Sequence, residues 1–112
     1  MSRFCSPLRY PGGKNCIFNF VSKLFYENDL LGVSYAEPYA GGAGLALRLQ
    51  FEEYVERVYI NDFDRAIYAF WITIINDTDK FCDWVTHVDV SIESWFYYRE
   101  IQRDFEYVSN FE

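Results

Sequence analysis

No apolar run in the sequence reaches the roughly 18 residues that a membrane-spanning helix needs. The first residues, Met1-Ser2-Arg3-Phe4-Cys5, lack the pattern of a secretory leader. Cysteine is scarce and odd in number. Cys5, Cys16 and Cys82 have no C-x-x-C spacing, which excludes a disulfide framework and a zinc site and reads as reduced thiols in a cytoplasmic protein. Positive charge is also short: 10 Lys and Arg stand against 17 Asp and Glu, a net charge of -7. Such a chain does not hold a phosphate backbone by bulk electrostatics. There is no internal repeat, low-complexity run or linker, and the three prolines, Pro7, Pro11 and Pro38, include no adjacent pair.

Aromatic residues are what the chain has in excess. Phe and Tyr number 11 and 10, and 51% of the sequence is hydrophobic, which argues for a dense core and against disorder. At 112 residues one domain at most is expected. The aromatic load is heavy for that length, so some rings are expected to need cover from outside the chain.

Pro7, Pro11, Gly12 and Gly13 exclude a regular helix at the start and predict an ordered arm. A helical pattern opens at Lys14, with Ile17, Val21 and Leu24 on one face and Phe18 and Phe25 beside it. It fades near Asn28-Asp29, before Gly32. Ser34 to Glu37 reads as a short strand, and Ala43 to Phe51 as a helix apolar nearly all round. Val58-Tyr59-Ile60 is a second strand. Strand, helix and strand in about thirty residues make a βαβ unit with parallel strands. A third helix is expected from Asp64 to about Ile75, with Ile67, Phe70, Trp71 and Ile74 as its apolar face. Thr78 is expected to cap a short helix through Val85, and His87 to Val90 to be extended or loop. Ser91 is expected to cap a last helix to about Phe105, with no closing strand before Glu112.

The stretch Tyr35-Ala36-Glu37-Pro38-Tyr39-Ala40-Gly41-Gly42-Ala43-Gly44 joins the first strand to the second helix. Glycines there let a ligand approach the backbone, and the helix turns its free N–H groups and positive dipole end to the same place. A carboxylate or phosphate suits that position; a tight turn without a ligand fits the loop alone equally well. Asp62 ends the second strand, where an acidic side chain can take the two hydroxyls of a ribose. Its alternative role is to cap the helix from Asp64. Glu37 ends the first strand and faces the same crevice. The P-loop pattern fails around Gly13-Lys14, because Leu8 stands where a glycine is required and Asn15 follows Lys14. Lys14 is then a lone cation at a helix start, unfavourable with the dipole. It either serves a ligand or is merely solvated.

Three segments in order, Ser6-Pro7-Leu8-Arg9-Tyr10-Pro11-Gly12-Gly13-Lys14, the stretch Glu37 to Gly44, and Asn61-Asp62, resemble the N-terminal part of the Dam-type adenine-specific DNA methyltransferases. Trp95-Phe96-Tyr97-Tyr98-Arg99-Glu100 resembles the Tyr-rich helix that follows in that family, so the resemblance spans nearly the whole chain. It implies a Rossmann-like α/β fold and S-adenosylmethionine as cofactor. Tyr10 and Lys14 become cofactor contacts. Glu37, Pro38, Tyr39, Ala40, Gly41, Gly42 and Gly44 form the loop that holds the methionine end, and Asp62 takes the ribose. No metal is implied.

The family transfers the methyl group with an Asp-Pro-Pro-Tyr tetrapeptide that grips a flipped adenine. These residues contain no Pro-Pro pair, and no catalytic residue is assigned. The expectation is a partial, truncated methyltransferase domain with an incomplete parallel sheet and no target-recognition domain, inactive alone. DNA would be met through the missing remainder. An unpaired edge on the first strand predicts self-association or a complementing chain. The alternative is a non-catalytic cofactor-binding or assembly module, or one subunit of a split enzyme.

Overall fold

The computed structural model describes residues 5–108, with side chains through residue 104. The expectations for residues 1–4 and for the end of the chain at Glu112 fall outside the described residues. The chain divides into two compact units at Phe63/Asp64.

The first unit opens with the arm of residues 5–13 and a 3-10 turn, Lys14–Ile17. The α-helix α1 follows at Phe18–Glu27. Its buried face is Phe18, Ser22 and Phe25, whereas Ile17 and Leu24 are 44% and 43% exposed. The sequence pattern puts Ile17, Val21 and Leu24 on one face with Phe18 and Phe25 beside it; of the three only Val21 packs against the core. The 3-10 turn, tighter than an α-helix, puts Ile17 out of phase with the turns that follow. The helix ends where Asn28 donates to the Leu24 carbonyl from both its backbone and its side chain. Asp29 and Gly32 then take positive φ.

Strand β1 (Val33–Glu37), helix α2 (Gly44–Phe51) and strand β2 (Val55–Ile60) form the expected βαβ unit, with the strands parallel. The register pairs Val33 with Val55, then Ser34 with Arg57, so Glu56 is bulged out. This explains why β2 begins three residues before its legible apolar run, Val58-Tyr59-Ile60. Glu56 and Arg57 both face solvent, and the bulge breaks the alternation that would mark the strand. Val33, Tyr35 and Glu37 share the covered face of β1. Val33 and Tyr35 pack against a core of Phe18, Phe25, Leu45, Leu49 and Val55. Phe18 meets Tyr54 and Phe25 meets Tyr35 edge to face, and the Arg48 guanidinium lies 3.7 Å above Phe18. Burying a Leu or Phe side chain contributes about 1.5–3 kcal/mol, so this cluster stabilises the packing of α1 and α2 on the sheet. Among the described residues the sheet has only these two strands.

The second unit is helical. Helix α3 (Arg65–Asn76) is capped by Asp64, whose carboxylate accepts from the N–H groups of Ala66 and Ile67. Trp71 is buried on it, with Ile67, Phe70 and Ile74 half-buried as the periodicity requires. Helix α4 spans Thr78–His87. Two expectations are corrected here. Thr78 does not cap α4: it lies inside the helix and its hydroxyl turns back to the Ile74 carbonyl, the alternative open to Ser and Thr near a helix start. His87 is the last helical residue rather than part of a loop, held by Nδ1 against the Asp83 carbonyl. Helix α5 (Ile92–Val108) is capped by Ser91, which accepts from the Ser94 N–H at 3.1 Å. The Ser91 and Ser94 hydroxyls also donate to Asp89 and hold its carboxyl below the usual range. Phe70, Phe81, Trp84 and Tyr98 form a chain of ring contacts at 5.6–6.3 Å. Many other rings of this unit stay in solvent, Trp95 at 54% and Tyr97 at 64% exposure among them.

Candidate functional site

The carboxyl ends of β1 and β2 lie side by side because the strands are parallel, and both run into polar loops. The Ala40 N–H donates to the Asn61 carbonyl at 2.8 Å, and the Asn61 N–H to the Glu37 carbonyl at 3.0 Å. The Asn61 side chain donates to the Pro38 carbonyl at 3.2 Å. Asp62 then accepts from the Gly41 N–H at 2.8 Å. The end of β2 is thus a brace for the loop after β1. Asn61 was missed as a site residue; its place directly before Asp62 was the available signal. Asp62 does not cap the next helix, a role that falls to Asp64.

The glycines accommodate the arm. Gly41 has φ +53, and a Cβ there would fall 2.7 Å from the Tyr10 ring. A Cβ on Gly42 would fall 2.8 Å from the Leu8 carbonyl oxygen. Both glycines are needed for the close approach of residues 8–10, a tertiary reason that the loop's spacing does not reveal. Ala43 is left-handed (φ 49) and precedes α2 without a side-chain cap. The first N–H groups of α2 therefore have no partner within the helix. A cavity of about 580 Å³ lies between arm and loop, with Ser6, Tyr10, Asn15, Gly42 and Gly44 in its wall. Its wall does not include Lys14, Glu37, Tyr39 or Asp62.

Lys14, Glu37 and Tyr39 form a second group. The Lys14 ammonium donates to the Tyr39 carbonyl and stands 3.7 Å from Glu37 Oε2. Glu37 is 4% exposed. Its Oε1 accepts from the Tyr35 hydroxyl at 3.0 Å, while Oε2 accepts no hydrogen bond among the described residues. Burial, and next the charge of Glu37, push the Tyr35 hydroxyl well above its ordinary pKa. A buried carboxylate oxygen without a donor is costly, and here it lies at a strand end beside a mobile-stemmed cation. The Tyr39 side chain itself is 72% exposed, so its contribution to this group is its carbonyl.

All the expected site residues therefore lie on the arm, the 3-10 turn, the loop after β1, the first residue of α2 and the two strand ends. A second cavity of about 660 Å³, between α3 and α5, is lined by Tyr68, Ile72, Tyr98 and Ile101 and by none of them. Among the described residues no cluster of His, Cys, Asp and Glu could hold a metal ion. No helix of the described residues is long and apolar enough to cross a membrane.

Mixed helix and strand, a parallel strand pair, and a glycine turn braced by the second strand define an α/β unit compatible with a methyltransferase-like fold. The family model described as D12 class N6 adenine-specific DNA methyltransferase matches residues 10–112, and the chain belongs to this family. The family's substrate is DNA, and its members generally use S-adenosylmethionine. Comparison with curated proteins gives no match, and neither does comparison with solved structures.

Proposed function

We propose that residues 5–63 form the cofactor half of a Rossmann-like, S-adenosylmethionine-dependent DNA adenine methyltransferase. The observation that carries this reading is Glu37 Oε2: a buried carboxylate oxygen without a hydrogen bond among the described residues, at the end of β1, directly before the glycine turn. An amino-acid ammonium is the donor such an oxygen lacks. Lys14 and the first N–H groups of α2 suit the carboxylate of the same amino acid. Tyr10 offers a ring on the arm side of the turn, and Asp62 orders the turn through Gly41. When bound, S-adenosylmethionine supplies an electrophilic methyl group on a sulfonium. The chain's own part is to hold and orient that donor.

The adenine-gripping half is supplied from outside residues 1–112, which contain no Asp-Pro-Pro-Tyr. A net charge of -7 supports a DNA grip that also lies elsewhere. Titration calorimetry with S-adenosylmethionine tests the reading. Wild type is expected to bind, and Glu37→Ala to lose at least tenfold in affinity, the loss of one charge-assisted hydrogen bond. No binding by the wild-type chain would remove the cofactor assignment.

A further inference from the structure

We propose that Tyr35 is a positioning residue for the amino-acid end of the ligand, acting through Glu37. The inference rests on the cofactor reading of Glu37 above. Tyr35 and Glu37 stand two apart on β1 and therefore project to the same face. The Tyr35 ring is fixed from behind, edge to face on Phe25 at 6.0 Å. Its hydroxyl donates to Glu37 Oε1 at 3.0 Å. Of the two carboxylate oxygens, only Oε1 accepts a hydrogen bond among the described residues, so the bond decides which oxygen is left to receive another donor. It also sets the rotation of the carboxylate about its last torsion, which is otherwise broad. Oε2 is thereby turned toward Lys14 Nζ, 3.7 Å away. The hydroxyl keeps its proton across the whole neutral range, because burial and the adjacent carboxylate both oppose ionisation. It is therefore a permanent donor to Glu37 Oε1. Phenylalanine would keep the packing on Phe25 and remove only this bond.

The experiment compares two ligands on the 112-residue chain. S-adenosylhomocysteine carries the amino-acid end; 5′-methylthioadenosine carries the same nucleoside without it. Tyr35→Phe is expected to weaken S-adenosylhomocysteine about tenfold, the size of one hydrogen bond to a charged group, and to leave 5′-methylthioadenosine unchanged. In a Glu37→Gln background the Tyr35→Phe effect should shrink to within twofold, because the path runs through the carboxylate. Equal weakening of both ligands would mean that Tyr35 merely supports the fold, and the proposal would be overturned. An unchanged affinity for both would overturn it too, while wild-type binding left the cofactor reading standing. Failure of the wild type to bind either ligand would instead remove the cofactor reading, and this inference with it.

Discussion

The Gly41 N–H and the Asp62 carboxylate meet at 2.8 Å, tying the turn after β1 to the second residue beyond β2. That bond fixes a left-handed glycine whose neighbours carry the arm. Asp62→Ala is expected to destabilise the chain by about 1 kcal/mol without any ligand present, since a half-exposed charged acceptor contributes less than a buried one. Denaturant melts of the free protein measure this. If Asp62 served a ribose alone, the unliganded melt would not move.

Gly42→Ala should release the arm. The added methyl meets backbone at Leu8, which has no flexible end to swing aside. Limited proteolysis is the direct measurement: residues 5–13 should be cut at least several-fold faster than in wild type, with α2 and the sheet still protected.

Tyr35 contributes a pH dependence whose sign can be worked out. Its folded pKa is raised above the ordinary value of 10.0. Its contribution is therefore complete below about pH 10 and is lost as pH rises through the folded pKa, because the unfolded chain gives up the proton first. Between pH 9 and pH 11 the wild type should lose more of its denaturant midpoint than Tyr35→Phe. Parallel losses in the two proteins would contradict the shift.

In the helical unit, Ser91→Ala removes the hydroxyl that accepts from the Ser94 N–H. Loss of a cap costs about 1 kcal/mol. The first turn of α5 should fray, read as faster amide exchange at residues 92–95.

The purified 112-residue chain should give no measurable methyl transfer to DNA, and by light scattering it should not be a monodisperse monomer. Both follow from the proposed half-site and from the edge that β1 leaves unpaired among the described residues. Transfer to DNA by this chain alone would refute the first; a single monomeric species would refute the second.

The βαβ unit was legible because its signals are local: a glycine turn, an apolar helix and short apolar strands. The helices of the second unit were legible from periodicity, and Ser91 from its hydroxyl at a helix start. What escaped the sequence depends on approach between segments far apart in the chain. The bulge at Glu56 hid the start of β2. The 3-10 turn put Ile17 out of phase with the buried face of α1. The glycines looked like a ligand cradle, and nothing in their spacing disclosed that Tyr10 and Leu8 lie on them. Asp62 was recognised by position, but its bond to Gly41 required both strands to be in register. Tyr35 resembled any strand aromatic until its hydroxyl was seen on Glu37.

The arm against Gly41 and Gly42 also bears on how the molecule is made. Synthesis runs from the N-terminal side, so residues 5–13 leave the ribosome before the turn they rest on exists. Their resting place forms only once β1, the turn and α2 have been translated and packed. The pocket wall is thus translated before the turn it rests on and can dock only after that turn has formed. A nascent chain stalled before α2 would expose the arm without a pocket, whatever the stability of the finished protein.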